Sequence, residues 1–163
     1  MHYNFLKLYD RYFDDVYRYT YFKIGNSWDT DDLVAETFRK AFEKIHTING
    51  SPKAWLITIA RNTIIDWYRK QKEIVADDAD LDKYAYAHSF EEIFEKKEEI
   101  NCLKKSLQKL TKEELEMINF KYFSGLKYKE ISVVVGKSTD AVKMKFLRII
   151  RKLGKLVKVC MEG

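Results

Sequence analysis

Proline occurs once in the 163 residues, glycine six times and cysteine twice. So few turn formers exclude a turn-rich β sandwich, and no stretch alternates apolar and polar residues as a half-buried strand would. No uncharged apolar run is long enough to span a bilayer, and the opening residues MHYNFLKLYDRYFDD lack the apolar stretch of a secretory leader. Cys102 and Cys160 stand apart, neither in a C-x-x-C pair nor beside a histidine at ligand spacing. They are expected to be ordinary thiols of a reducing compartment. His2, His46 and His88 are scattered, so neither a metal site nor a cofactor is expected.

Hydrophobic residues make up 46% of the chain, enough for a real core, beside 15% aromatic and 34% charged residues. The net charge of +5 is unevenly spread. Residues 1–75 carry 12 basic and 10 acidic side chains, residues 76–100 three and nine, and residues 101–163 fifteen and six. The acidic middle begins without helical periodicity and separates two apolar, periodic blocks. This composition predicts an all-α protein of two small helical domains, 1–75 and 99–163, joined by an acidic linker, 76–98, with helix resuming near Ser89; an acidic loop on a single domain is the other reading.

In the first block, FLKLYDRYFDDVYRYTYFKIG places apolar residues three and four apart and predicts an amphipathic helix ending near Gly25. SWDTDDLVAETFRKAFEKI predicts a second, capped by Asp29 or Thr30, with Leu33, Val34, Thr37, Phe38, Ala41, Phe42 and Ile45 as its buried stripe. Gly50 and Pro52 break the pattern, and Ser51 is a good cap for a third helix. That helix gathers Leu56, Ile59, Ala60, Thr63, Ile64 and Trp67 on a core face. The opposite side carries Thr58, Arg61, Asn62, Ile65, Arg69 and Lys72, with Trp55 at its edge. A merely solvated face is one reading. Aromatic and amide groups among cations also suit single-stranded nucleic acid, where bases stack on rings and cations hold phosphates.

The second block predicts a short helix from Ile100 to Lys109, then one through Tyr122 opened by a Thr111–Glu114 capping box. A turn at Gly125, a helix from Tyr128 to Val135, a tight turn at Gly136 and a final helix from Ser138 or Thr139 to about Lys155 follow. Short helix, glycine turn and longer helix form a helix-turn-helix. Eight cations against one carboxylate between Lys137 and Lys158 suit the major groove; a basic, exposed helix that merely keeps the protein soluble is the other reading. Leu147 faces outward without a physical reason visible in the sequence.

Three stretches resemble the extracytoplasmic-function sigma factors of the sigma-70 family, promoter-specificity subunits of bacterial RNA polymerase. DTDDLVAETF resembles the family's D-x-E-D-L-V-Q-E-T-F. WLITIARNTIIDWYRKQK resembles W-L-x-x-I-A-x-N-x-x-x-D-x-x-R. YKEISVVVGKSTDAVKMKFLRIIRKL resembles the family's helix-turn-helix pattern. Asp31, Ala35, Val135, Asp140, Ala141 and Met144 depart from the family's usual residues, the last three where bases would be read.

The resemblance implies roles. Asp32, Leu33, Glu36 and Phe38 would meet the β′ coiled coil of core RNA polymerase, and the second domain its β flap. Ile48, Asn49, Gly50, Ser51 and Lys53 would hold a flipped base of the single-stranded −10 element of promoter DNA. Trp55, Thr58, Arg61, Asn62, Arg69 and Lys72 would contact the same strand. Thr139, Asp140, Lys143 and Met144 would read the −35 duplex, with Lys137, Ser138, Lys145 and Arg148 at its backbone. Asp140 would accept from a cytosine amino group or, the preferred reading, add a favourable charge at the helix start. The chain is expected in the cytoplasm, with an anti-sigma factor as a partner that would hold it at the inner membrane face, and no small-molecule substrate is expected. Two other classes remain: a helix-turn-helix regulator acting without polymerase, and an enzyme built on the carboxylates of DTDDLVAE. The latter lacks a nucleophile or histidine to join them.

Overall fold

Residues 3–74 and 98–163 are described by the structure, a computed structural model. The expected linker lies outside them but for its last residue. Helix α1, Phe5–Ile24, starts where the Asn4 side chain accepts from the N–H groups of Leu6 and Lys7. It stops at Gly25, whose φ of 88° is the left-handed conformation that releases the chain. Helix α2, Ser27–Glu43, begins earlier than the expected Asp29 or Thr30 cap. Asn26 is the cap, accepting from Asp29 N at 2.8 Å, while the Thr30 hydroxyl donates back to Asn26 O from inside the helix. After a 3-10 turn at Ile45–Thr47 comes α3, Pro52–Ile74, with Ser51 Oγ accepting from Ala54 N at 3.2 Å.

These three helices pack on one another around Leu8, Val16, Leu33, Val34, Phe38, Ala41, Leu56, Ala60 and Ile64. Phe42, expected in the buried stripe of α2, is exposed; its ring meets the edge of Phe5 at 5.1 Å on the rim of the bundle. Tyr9, Phe13, Tyr17 and Phe38 extend this aromatic run along the α1–α2 seam.

The second unit starts with α4, Glu98–Leu107. The Thr111–Glu114 capping box forms as expected and opens α5, Lys112–Ile118. The expected continuation toward Tyr122 widens into a π turn at Asn119–Phe123. Helix α6, Tyr128–Val135, ends at Gly136 with φ 68°, and Ser138 caps α7, Thr139–Glu162. Helix α7 therefore runs well past Lys155, because Leu156, Val157 and Cys160 continue an apolar side along which α4 packs.

That packing joins Cys102 to Cys160 in a disulfide, with Cα atoms 5.5 Å apart. The reading of both as isolated thiols is corrected here. They are separated by 58 residues, and only the α4–α7 contact brings them together. On loop-closure entropy, a bond across a loop of this length contributes about 4 kcal/mol.

The two units are in contact. The π turn packs on α1 and α6 on α3. Phe22 stacks on Phe123 at 4.1 Å between ring centroids, and Tyr19 on Phe120 at 5.7 Å. Inside this aromatic contact lies a polar knot. Glu116, 8% exposed, accepts from the Tyr19 hydroxyl and from Lys23 Nζ at 3.0 Å, with Arg61 Nε at 3.8 Å. Asn119 donates to Tyr19 O at 3.0 Å, while its own Oδ1 is buried with no hydrogen-bond partner among the described residues.

Candidate nucleic-acid interface

Helix α7 owes its position to three buried residues one helical turn apart, Val142, Phe146 and Ile149; it packs on α6, where the Phe146 ring meets Tyr128 and, from the π turn, Tyr122. The opposite side is therefore turned outward. It presents Asp140, Lys143, Met144 and Arg148, with Lys137 and Ser138 in the preceding turn, all exposed. Leu147 is exposed as expected. Two of the expected contact groups are committed locally. Ser138 Oγ accepts from Ala141 N at 3.1 Å, and the Thr139 hydroxyl lies 3.4 Å from Ser132 Oγ.

Lys145 is half-buried and donates to Glu113. That hydrogen bond holds the Glu113 carboxyl below its usual range. Farther along, Lys152 Nζ donates to Glu114 at 2.7 Å. Burial pushes the Glu114 carboxyl up, but this donor and the Thr111 cap outweigh it and leave the group below its usual value. Both pairs tie α7 to the start of α5. Lys145 thus arrives with part of its charge already matched, unlike Lys143.

On α3, the expected −10 residues are brought together, but not in the open. Asn49 and Gly50 are exposed at the loop tip, where Gly50 has φ 76°. With Ser51, Trp55 and Thr58 they line one wall of a groove whose other wall is Lys129, Glu130, Val133 and Val134 of α6. Ser51 donates to Glu130 across that groove. Lys53 Nζ donates to Gly125 O at 3.1 Å and lies 3.6 Å from Asp15. Thr58 donates to Ala54 O, and Arg61 faces Glu116. The second unit thus engages Ser51, Lys53 and Arg61. Asn62, Arg69 and Lys72 remain exposed beyond its edge, and Ile48 packs against the core.

On α2, Asp32 is exposed and Glu36 half-buried. Arg39 grips Glu36 with two bonds of 2.6 and 2.9 Å, and this hydrogen bonding lowers the Glu36 carboxyl. Leu33 and Phe38 are 5% and 4% exposed and belong to the core of the first unit. Leu33 also borders the open groove between α2 and α3, and Phe38 the aromatic groove between α1 and α2. The partly exposed aromatic seam of Tyr9, Phe13 and Tyr17 beside Asp31 and Ala35 lies next to them.

Glu116 and Lys23 were not marked by the periodicity as a pair. Each is a lone charge inside an apolar run, LEM and FKI, and two such misfits of opposite sign are the trace a buried pair leaves in a sequence. Burial, then the charge of Glu116, pushes the Tyr19 phenol well above its usual value, so Tyr19 stays a donor in this knot.

Two segments match known families: residues 8–74 match sigma-70 region 2, and residues 100–153 match sigma-70 region 4. The chain is 31% identical over 159 residues to the ECF RNA polymerase sigma factor BldN of Streptomyces coelicolor, covering 94% of this chain and 60% of that protein. It therefore spans less than two thirds of that relative. It is 30% identical to the ECF sigma factor EcfG of Rhodopseudomonas palustris, covering 83% of this chain and 75% of that protein. The fold is that of the sigma factor RpoE in its complex with the anti-sigma factor NepR from Bartonella quintana, with a TM-score of 0.69, 22% identity and coverage of 95% and 97%. The chain belongs to the extracytoplasmic-function sigma factors of the sigma-70 family.

Proposed function

We propose that the chain is a promoter-specificity subunit that docks on core RNA polymerase, reads the −35 element as duplex and holds the opened −10 strand. The observation that carries this is the placement of two cation-bearing helical faces, on α3 and α7, in units that match regions 2 and 4. The work is binding rather than bond-making. Lys143, Met144 and Asp140 stand where a helix in the major groove meets base edges, and Lys137 and Arg148 where it meets phosphates. Asn49 to Lys53, Trp55, Arg61 and Asn62 would cradle a flipped base and its strand, with the cost of unstacking offset by pocket contacts. Asp32 and Glu36, with the neighbouring aromatic seam, would meet a basic coiled coil of polymerase.

In the arrangement described, α6, the turn at Gly125 and Glu116 of α5 cover the base of the α3 face. The −10 strand reaches Ser51, Lys53 and Arg61 only when the two units part. The polymerase would supply that opening by binding both units at a fixed separation, which also adds avidity. The contact suits reversible parting because its centre is ionic: Glu116 and Lys23 recover full hydration once separated. An anti-sigma factor, the partner in the RpoE–NepR complex, would hold the chain in the cytoplasm in its covered form.

A second reading, a helix-turn-helix regulator that binds duplex DNA alone, draws on the exposure of Lys143, Met144 and Arg148 in this closed form. Titrating labelled promoter duplex and −10 single strand with the chain, with and without core polymerase, separates them. Strong single-strand binding only with polymerase supports the sigma reading. Tight duplex binding unchanged by polymerase supports the regulator.

A further inference from the structure

We propose that the Cys102–Cys160 pair is a redox modification site. Its disulfide clamps α4 to the end of the DNA-reading helix, and its reduction by a dithiol opens the clamp. The transcriptional consequence rests on the sigma-factor reading; the clamp itself does not.

The position of the bond carries the argument. The first part of α7 is fixed without it, by Val142, Phe146 and Ile149 in the core and by the Lys145–Glu113 and Lys152–Glu114 pairs. Beyond Lys152 the helix changes character. Leu153, Leu156, Val157 and Cys160 are only half-buried, and Lys155, Lys158, Val159, Met161 and Glu162 are exposed. Gly154 interrupts this segment, and a glycine inside a helix weakens it. The packing partner here is α4, a helix of ten residues, itself too short to persist alone in water. A covalent link therefore sits where the non-covalent hold is weakest, between the segment that follows the acidic stretch and the last turn of α7.

A subunit that acts on the chromosome works where cellular thiols keep cysteines reduced, and disulfides there are redox-sensing rather than permanent. Access is asymmetric in a way that suits exchange. Cys102 is buried, whereas Cys160 is half-buried on the outer side of the pair. In reduction, a thiolate of the external dithiol attacks Cys160 Sγ and the S–S bond breaks. Cys102 leaves as a thiolate and takes a proton, and the second thiol of the dithiol resolves the mixed disulfide. The two electrons come from the dithiol, which ends oxidised. For the reverse step the oxidant is a hydroperoxide. One cysteine thiolate attacks a peroxide oxygen to give a sulfenic acid and release water or an alcohol. The other thiol then attacks that sulfur, forming S–S and releasing water.

The test uses the full chain, treated with hydrogen peroxide or dithiothreitol. Thiols are counted by iodoacetamide labelling and mass, and amide hydrogen exchange is followed in both forms. The oxidised chain is expected to take no label and the reduced chain two. Residues 98–107 and 153–162 should open locally and exchange about tenfold faster when reduced, ahead of residues 139–150, whose exchange follows unfolding of the whole second unit. Cys160→Ser should show the faster exchange under both treatments. Gly154→Ala, for which a Cβ meets nothing within 4 Å, should slow exchange of residues 153–162 in the reduced form. Thiols that stay alkylatable after peroxide, or identical exchange in the two forms, overturn the proposal. With core polymerase, transcript yield from a promoter that needs its −35 element should fall on reduction in the native chain and not in Cys160→Ser. No transcript in either redox state counts against the sigma reading, while the exchange data still decide the clamp.

Discussion

Replacing Glu116 by Gln should unlock the contact between the two units. Glu116 is the acceptor shared by Tyr19 and Lys23 and faces Arg61, and the Lys23 side chain is only 4% exposed. A glutamine keeps the volume and can still accept from Tyr19, but it leaves the Lys23 ammonium buried without a counter-charge. Breaking a buried pair in this way costs about 3–5 kcal/mol. The lower end applies here, because Arg61 is partly exposed and the amide retains one hydrogen bond. Both partners regain water when the units part, so the loss falls on the closed arrangement and not on either unit's own fold. About 3 kcal/mol corresponds to roughly a 150-fold shift toward the open form. Small-angle scattering should show a larger radius of gyration with unchanged helicity. Free protein should gain affinity for a labelled −10 single strand. The apolar pair Lys23→Met with Glu116→Leu should close the units again, since a buried ion pair is replaceable by hydrophobic groups of similar shape. A Glu116→Gln chain with native dimensions and native strand affinity would refute the reasoning.

Four further outcomes are expected. Asn62→Ala should slow open-complex formation on a −10 promoter while leaving the affinity for core polymerase intact, as measured by a fluorescence opening assay beside a polymerase binding curve. Lys143→Ala should change the preference among −35 sequence variants, whereas Lys145→Ala, whose partner is Glu113, should weaken all variants alike and lower the thermal midpoint of the second unit. Gly136→Ala should destabilise by about 1 kcal/mol in chemical denaturation, because a Cβ meets nothing but must adopt φ 68°. The Glu114 carboxyl sits below its usual range in the folded chain, so its contribution is present above the unfolded carboxylate range, near pH 4.3, and is lost as pH falls through the folded value. Glu114→Gln should therefore flatten the fall in thermal midpoint between about pH 5 and pH 3.

The helix-turn-helix was legible because its punctuation is local. A glycine at left-handed φ and a serine cap settle the α6–α7 turn within a few residues of chain. The all-helical class followed from scarce proline and glycine and from apolar spacing. Phe42 was misplaced because periodicity gives a face but not how far a neighbouring helix extends to cover it. The end of α7 was placed near Lys155, whereas the packing of α4 along its apolar side carries the helix on to Glu162. Leu33 and Phe38 matched a motif whose residues share a helix; burial divides them from Asp32 and Glu36. The Cys102–Cys160 pair and the Glu116 knot were hidden for one reason: each is made by contact between segments distant in the chain, for which no spacing rule exists.

Run-off transcription with purified core RNA polymerase on a library of promoter fragments tests the central claim most directly. The account predicts that adding the chain selects start sites downstream of one pair of −35 and −10 sequences, with selection lost on deleting either element. Transcript patterns identical with and without the chain would contradict it.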